Sequence, residues 1–556
     1  MPTIEVSLKD LNKLVEKKFT RKELERALEY VKGEVESFRG DRIRMEIADT
    51  NRPDLWSAEG VARELRSRYT KDKGLIRYKM KKSGLRVIID KNLKNIRPKT
   101  VCAVVKGLKI DDEFLFQIIQ LQEKICETFG RNRGEVALGI YDYHKISPPI
   151  HFRAYKPDEI KFVPLDFDKE LNLRQILSQH PKGKEYGHLL ADFDKYPVFI
   201  DSKNHVLSMP PIINSDYTGK VTKKTRDVFI ECSGFDMKFL LPSLNIMVSA
   251  LADRGGRIET VEVVSREGRM VTPDLKPKRI TVDVDRVRRL SGLDLGKDKI
   301  RKLLLESRYD VETEGGKFLV SYPAYRQDIM HQVDVIEDII ISYGYNRIEP
   351  VIPKISTIGG QTRMNEFSRR VSNIMTGMGS QEVLSYILTN RDNIAKRMDL
   401  EVSKLIEIEN PISKNWSVFR TWIIPSLIEF IGKNTNREYP QNIFEMGEVV
   451  LFDEKAETRS RNPTRLAWAF ADSEANFTKA KQSFDFLMRN LGVAYVIEDV
   501  EHPSFIPGRV GRVSVKGRKI ACIGEIHPKV LENFRIEQPV CAFEINLSDL
   551  LGILKK

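Results

Sequence analysis

Apolar residues recur at steps of three and four in several long stretches and at steps of two in many short ones, so the hydrophobic pattern predicts helices interleaved with strands. Val333, Ile336, Ile340 and Tyr343 mark one helical face that ends at Gly344. Val61, Ala62 and Leu65 form the inner face of another helix, which follows the turn Asn51-Arg-Pro-Asp54. Thr20 and Glu23 have the spacing of a capping box at a third helix start. Longer amphipathic runs predict helices over 112–129 and 242–252, the second with Pro242 in its first turn. Strands are predicted at 3–8, 42–47, 100–106, 135–140, 198–200, 228–230 and 258–264.

Punctuation and pattern divide the chain into five blocks: 1–70, a connecting segment 71–97, an α/β block 98–272, a small block 273–350 and a mixed block 351–556. The small block reads strand, helix (284–291), helix (296–307), hairpin (309–313 and 317–321, turning at Gly315-Gly316) and the helix ending at Gly344, the order of a winged-helix-like module. The last block carries strand patterns at 441–446, 467–471, 510–515 and 542–545. The expected fold class is multi-domain α+β.

Charge sharpens this picture at the connecting segment. Between Arg66 and Lys99 stand 13 Lys or Arg against only Asp72 and Asp90, a surplus of 11 that nearly exhausts the net +13 of the chain. Such a strip reads either as a phosphate-binding surface or as a solvated linker. Lys71, Lys73, Arg77, Lys79, Lys81 and Lys82 are its candidate nucleic-acid contacts. No apolar run approaches the ~20 residues of a membrane span, and the N-terminal stretch has no long apolar core. Five scattered cysteines without Cys-x-x-Cys spacing suit reduced thiols and a cytoplasmic protein. The eight histidines form no His-x-x-x-His pair for zinc.

The densest acidic chemistry is Asp328, Asp334, Glu337 and Asp338. The last three stand at i, i+3 and i+4 of one helix, so their carboxylates repel unless a cation or basic groups from elsewhere neutralise them. All-oxygen donors suit Mg2+ better than zinc. The alternative is an acidic helix start that complements the helix dipole.

Four stretches in order resemble the β subunit of phenylalanyl-tRNA synthetase in its archaeal/eukaryotic form. They are Asn51-Arg-Pro-Asp with Glu59-Gly-Val-Ala-Arg-Glu; Val206-Leu-Ser-Met-Pro-Pro-Ile-Ile-Asn214 with Thr225-Arg-Asp-Val-Phe-Ile-Glu-Cys232; Tyr325-Arg-Gln-Asp-Ile with Asp334, Glu337-Asp338 and Tyr343-Gly-Tyr345; and Asn410-Pro-Ile-Ser, Arg420, Asn442-Ile-Phe-Glu-Met-Gly-Glu448 and Gly524-Glu-Ile-His-Pro528. The resemblance implies an N-terminal domain (1–70), an editing domain (98–272), a Mg2+-bearing winged-helix-like domain (273–350) and a class II synthetase-like domain (351–556). The arginine that grips ATP in active class II enzymes is missing after Glu448, so this last domain is expected to be non-catalytic.

The resemblance further implies an (αβ)2 heterotetramer in the cytoplasm. Its α subunit would bind ATP and attach phenylalanine to tRNA(Phe), while this chain would bind tRNA and hydrolyse mischarged Tyr-tRNA(Phe). Glu231 and His151 match polar positions of the family's editing site, with Asn214 and Thr225 close to others. Glu231 stands in an otherwise apolar strand, where a carboxylate needs a reason. No Ser-His-Asp pattern surrounds Ser208 or Cys232. Asp328, Asp334, Glu337 and Asp338 become a structural Mg2+ site, with the contact to the α subunit as its expected place. A free-standing RNA-binding scaffold and a metal-dependent hydrolase built around Asp328 and Asp334 are the competing possibilities.

Overall fold

The computed structural model describes residues 2–554, and the chain forms two compact units, Met1–Ile352 and Pro353–Lys556. In the first unit, strands Thr3–Ser7, Arg42–Ile47 and Gly33–Arg39 make a small antiparallel sheet. Helices Leu8–Val15 and Arg21–Leu28 flank it, the second opened by the Thr20–Glu23 capping box. Helix Ala58–Tyr69 is buried on its polar side as well as its apolar one: Glu59, Arg63, Glu64 and Ser67 are all covered. Its polar face is enclosed because Arg63 reaches Asp253 and the backbone carbonyl of Arg63 receives a hydrogen bond from Arg308.

The centre of this unit is a ten-stranded sheet. Its strands run in the order Ile213–Asn214, Val206–Met209, Tyr196–Ile200, Ile150–Tyr155, Met80–Ile89, Arg257–Ser265, Lys99–Lys106, Val228–Gly234 and Val136–Asp142, with Gly268–Thr272 paired to Arg257–Ser265. Alternation sorts their side chains. Val228, Ile230 and Cys232 face helices Asp112–Lys124 and Met237–Asp253, whereas Phe229 joins Cys102, Val104, Tyr141, Phe152 and Phe199 on the other face. The sheet curls so far that Tyr141 on the last strand touches Ser208 and Asn214 on the first two.

Two expectations are corrected here. The connecting segment 71–97 is no linker: Met80–Ile89 is an internal strand, parallel to both Arg257–Ser265 and Ile150–Tyr155. The alternating Leu85 and Val87 are buried and carry it into the sheet despite the surrounding lysines. The helix expected at 242–252 runs Met237–Asp253, because Asp236 caps it at Lys238 N–H. Pro242 therefore lies inside the helix rather than in its first turn.

The small module at the end of this unit follows the predicted order. Strands Lys278–Val282, Lys317–Tyr322 and Asp310–Glu314 form its sheet, with helices Val284–Ser291, Lys297–Glu306 and Gln332–Tyr343. The second unit is built on a seven-stranded sheet whose first pair is parallel and whose remaining pairs are antiparallel. Helices Arg363–Gly377, Phe477–Leu491 and Leu547–Leu554 cover one face, and Ile424–Lys433 and Pro528–Asn533 the other. The whole is multi-domain α+β.

Candidate functional site

Glu231 is the one carboxylate that the alternation of its strand delivers to the inner face of the curled sheet, and it is 2% exposed. It lines a cavity of about 580 Å³ at the seam where the two ends of the sheet approach each other. Oε1 accepts a hydrogen bond from the Tyr141 hydroxyl at 3.1 Å. Oε2 is buried without a hydrogen-bond partner. Burial raises the Glu231 pKa from its ordinary value near 4.5 to about 8, against the opposing pull of the Tyr141 hydroxyl, the Arg97 guanidinium and the Ser233 hydroxyl. At neutral pH the group is therefore mostly a neutral acid in the wall of the cavity.

Glycine is required opposite it. Gly139 pairs directly with Glu231, and a Cβ at that position would lie 2.1 Å from the Tyr141 hydroxyl and 2.8 Å from Oε1 of Glu231. Around this polar centre the wall is largely apolar: Leu115, Ile118, Leu138, Ile140 and Ile212 contribute to it. Arg133 fixes the Pro211–Ile212 turn by donating to both carbonyls, at 3.0 and 2.8 Å, and lies over the Tyr186 ring. At another wall, His180 Nδ1 accepts from the Lys182 N–H at 3.1 Å while Nε2 faces the Leu165 carbonyl at 3.2 Å. That pairing requires the proton on Nε2.

Of the four residues predicted for this chemistry, the structure brings two together. Asn214 lines the cavity with Glu231, its Oδ1 3.3 Å from the Tyr141 hydroxyl. Thr225 lies outside: its hydroxyl donates to Asp142 at 3.0 Å in the loop before the Glu231 strand. His151 is also outside, on strand Ile150–Tyr155, with Nδ1 3.1 Å from Arg153. Burial and Arg153 push its pKa down. Tyr141, at the centre, was not singled out from the sequence, and Ser208, which the sequence offered only as an unsupported nucleophile, has its buried Oγ 2.8 Å from the Tyr141 hydroxyl. Cys232 points to the helix-covered face, where burial pushes its thiol well up and leaves it inert.

The four carboxylates of the small module, expected from the sequence to hold Mg2+, each have their own partners within the chain. Asp328 is gripped by Arg326 through two bonds of 2.8 and 2.6 Å. Burial works to raise its pKa, but the Arg326 and Arg52 guanidiniums hold it below the usual range. Asp338 accepts from Arg326 at 2.8 Å and from the Tyr309 hydroxyl. Asp334 turns back to the N–H groups of Met330 and His331, at 2.8 and 2.7 Å, as an N-terminal cap. Glu337 pairs with Lys32 of the N-terminal domain at 2.7 Å. Basic groups thus pair with Asp328, Glu337 and Asp338, and no group of three or more His, Cys, Asp or Glu among the described residues is arranged to hold a metal ion.

The two Arg-x-Asp motifs of the sequence meet at this point. Arg52 forks onto Asp54 at 2.9 and 2.8 Å and reaches Glu64 at 3.3 Å. Burial opposes ionisation of Glu64, yet Arg52 and Arg68 lower its pKa to about 2. Arg52 stands 4.0 Å from Asp328, and Gln327 donates to the Asn51 carbonyl. All six candidate residues of the basic strip are exposed, and Lys73 and Arg77 pair with Glu306 and Asp310 of the small module, at 2.6 and 2.8 Å.

Three family models match the chain: the B3/4 domain over residues 118–245, the tRNA synthetase B5 domain over 280–345, and the phenylalanyl tRNA synthetase beta chain CLM domain over 348–547. The phenylalanine–tRNA ligase beta subunit of Pyrococcus abyssi is 49% identical over 99% of this chain and 100% of its own length. That of Pyrococcus horikoshii is 48% identical with the same coverage. Among solved structures, an N-terminal fragment of the phenylalanyl-tRNA synthetase beta subunit from Pyrococcus horikoshii aligns with a TM-score of 0.61 and 47% identity, covering 62% of this chain and 100% of the fragment. Gly139, Tyr141, Ser208, Asn214 and Glu231 all fall within the stretch matched by the B3/4 model.

Proposed function

Because the chain belongs to the family of phenylalanine–tRNA ligase beta subunits, we propose that it acts with an α subunit in an (αβ)2 complex on tRNA(Phe) and that its Glu231 cavity hydrolyses mischarged Tyr-tRNA(Phe). On this proposal the α subunit binds ATP and joins phenylalanine to the tRNA. The single observation that carries the editing role is the unpartnered Oε2 of Glu231 in a mostly apolar cavity. A phenol entering the cavity supplies the missing partner; a phenyl ring does not. A site built around a buried hydrogen-bonding group discriminates by that group, because it stays unsatisfied with the wrong ligand.

Hydrolysis adds water across the ester that links tyrosine to the terminal ribose. Water oxygen bonds to the acyl carbon, the bond from that carbon to the ribose oxygen breaks, and the ribose oxygen takes up a proton. Glu231 selects the side chain in this scheme. No acyl-enzyme is needed, consistent with Ser208 facing a tyrosine hydroxyl and Cys232 facing the core.

Internal contacts support a non-catalytic role for the second unit. Arg420 is buried against Glu445 at 2.5 Å and also donates to Ser385 and to the Glu448 carbonyl. Asn442 accepts from Ser380 and Trp468 at 2.7 and 2.6 Å. The residues of the Asn442–Glu448 motif are thus committed to holding this sheet together. No helix among the described residues is long and apolar enough to cross a membrane.

Tyr-tRNA(Phe) and Phe-tRNA(Phe) presented to the complex provide the test. The parent should deacylate the tyrosyl ester preferentially and Glu231→Ala should lose at least tenfold of that preference. An undiminished preference in the variant would remove Glu231 from recognition. Co-purification of the full chain with a smaller class II synthetase-like chain checks the assembly.

A further inference from the structure

Tyr141 occupies the centre of the cavity's polar network without any assigned part in it. Its ring is fully buried and packs against Phe229 with centroids 5.8 Å apart. Its hydroxyl lies 2.8 Å from Ser208 Oγ, 3.1 Å from Glu231 Oε1 and 3.3 Å from Asn214 Oδ1. A phenol has one hydrogen to give, so it cannot donate to all three. The Ser208 hydroxyl can donate to the Tyr141 oxygen, which leaves the Tyr141 hydrogen for Glu231. Gly139 keeps this approach open, since any side chain there would collide with the Tyr141 hydroxyl.

We propose that Tyr141 is a positioning residue for substrate discrimination: by donating to Oε1 of Glu231 it fixes the orientation in which that carboxyl meets the para-hydroxyl of a tyrosyl ester. This rests on the proposed editing role of the cavity. A neutral carboxyl whose Oε1 accepts from Tyr141 carries its own proton on Oε2, as an O–H donor. The phenol oxygen of a tyrosyl group accepts that bond. Phenylalanine offers no acceptor, so its ester leaves the donor unpaired. Without the Tyr141 hydroxyl the carboxyl can turn either oxygen, protonated or not, toward the cavity, and the fixed donor is lost.

Tyr141→Phe keeps the ring and deletes only the hydroxyl. In the αβ complex, deacylation rates of Tyr-tRNA(Phe) and Phe-tRNA(Phe) are measured for the parent, Tyr141→Phe and Glu231→Ala across pH. One hydrogen bond corresponds to about a tenfold change, so the tyrosyl-to-phenylalanyl rate ratio should fall about tenfold in Tyr141→Phe. A misfolded fraction lowers both rates together and leaves the ratio unchanged, so folding losses do not imitate the effect. Because the Tyr141 bond favours the ionised form of Glu231, the pH at which the ratio changes should also move upward, a shift that loss of packing alone would not produce. A lower ratio with the upward shift supports the role. An unchanged ratio in Tyr141→Phe, with the ratio lost in Glu231→Ala, overturns the role of Tyr141 alone. A ratio that survives Glu231→Ala overturns the proposed use of the cavity, and the role of Tyr141 with it.

Discussion

A single buried carboxyl sets the character of the cavity and gives the first unit a pH dependence of definite sign. Glu231 has a folded-state pKa of about 8 against an ordinary value near 4.5. The folded chain therefore holds a proton that the unfolded chain releases between those values. Its contribution to stability is greatest below about pH 4.5 and is lost as pH rises through 8, by an amount on the order of a few kcal/mol. Glu231→Gln lacks this loss, so thermal melts should show the variant gaining on the parent between pH 6 and 9; a constant difference would contradict the shift. Gly139→Ala should cost about 1 to 3 kcal/mol by overpacking, seen as a lower melting temperature, and should depress tyrosyl-ester hydrolysis because Tyr141 or Glu231 must move. Glu231 was legible in the sequence as a charge between Ile230 and Cys232. Tyr141 was not, since a tyrosine in an alternating strand looks like ordinary core, and its partners Ser208 and Asn214 are 67 and 73 residues away. His151 and Thr225 were placed near the chemistry because the sequence does not show how the sheet curls, and the curl decides which strand ends meet.

Strands and helices read through their own alternation were located well; what they do for one another was harder to see. The winged-helix-like order and the Thr20 capping box follow from local spacing and are present as expected. The strand Met80–Ile89 was hidden by lysines on its exposed positions, although Leu85 and Val87 alternate correctly. Within the basic strip, Lys73 and Arg77 have acidic partners in the small module, and we propose Lys71, Lys79, Lys81 and Lys82 as its tRNA contacts. Replacing Lys71, Lys79, Lys81 and Lys82 by Gln should reduce the steepness with which tRNA affinity falls with salt by up to about 3 in the log–log slope. Lys73→Gln with Arg77→Gln should leave that slope unchanged and lower stability by up to about 1 kcal/mol per pair. Fluorescence titrations at several salt concentrations distinguish the two sets. The carboxylate helix shows the same limit: its spacing exposed mutual repulsion, but Arg52, Arg326 and Lys32, which relieve it, come from elsewhere in the chain. Arg326→Met leaves Asp328 and Asp338 buried without their main partner and should cost about 3 to 5 kcal/mol, measured as lost stability of the first unit.

For the molecule as a whole, four ordered sequence resemblances anticipated the family because each marks a contact that the fold needs: Arg52 with Asp54, Arg326 with Asp328, Arg420 with Glu445, and the Glu231 strand with its neighbours. The first two pairs face each other and tie the N-terminal domain to the small module, a structural role that individual motifs do not disclose. This wiring predicts that a chelator such as EDTA leaves the melting temperature of the isolated chain unchanged; a marked fall would show that a metal contributes to the carboxylate cluster after all. We propose that the Glu231 cavity recognises a tyrosyl side chain by its hydroxyl. The most direct test is the binding, by calorimetry, of non-hydrolysable 3′-aminoacylamino-adenosine analogues to the complex. The tyrosyl analogue should bind at least tenfold tighter than the phenylalanyl one, with the difference abolished in Glu231→Ala. Equal binding of the two analogues by the parent, or a preference that survives the substitution, would contradict it.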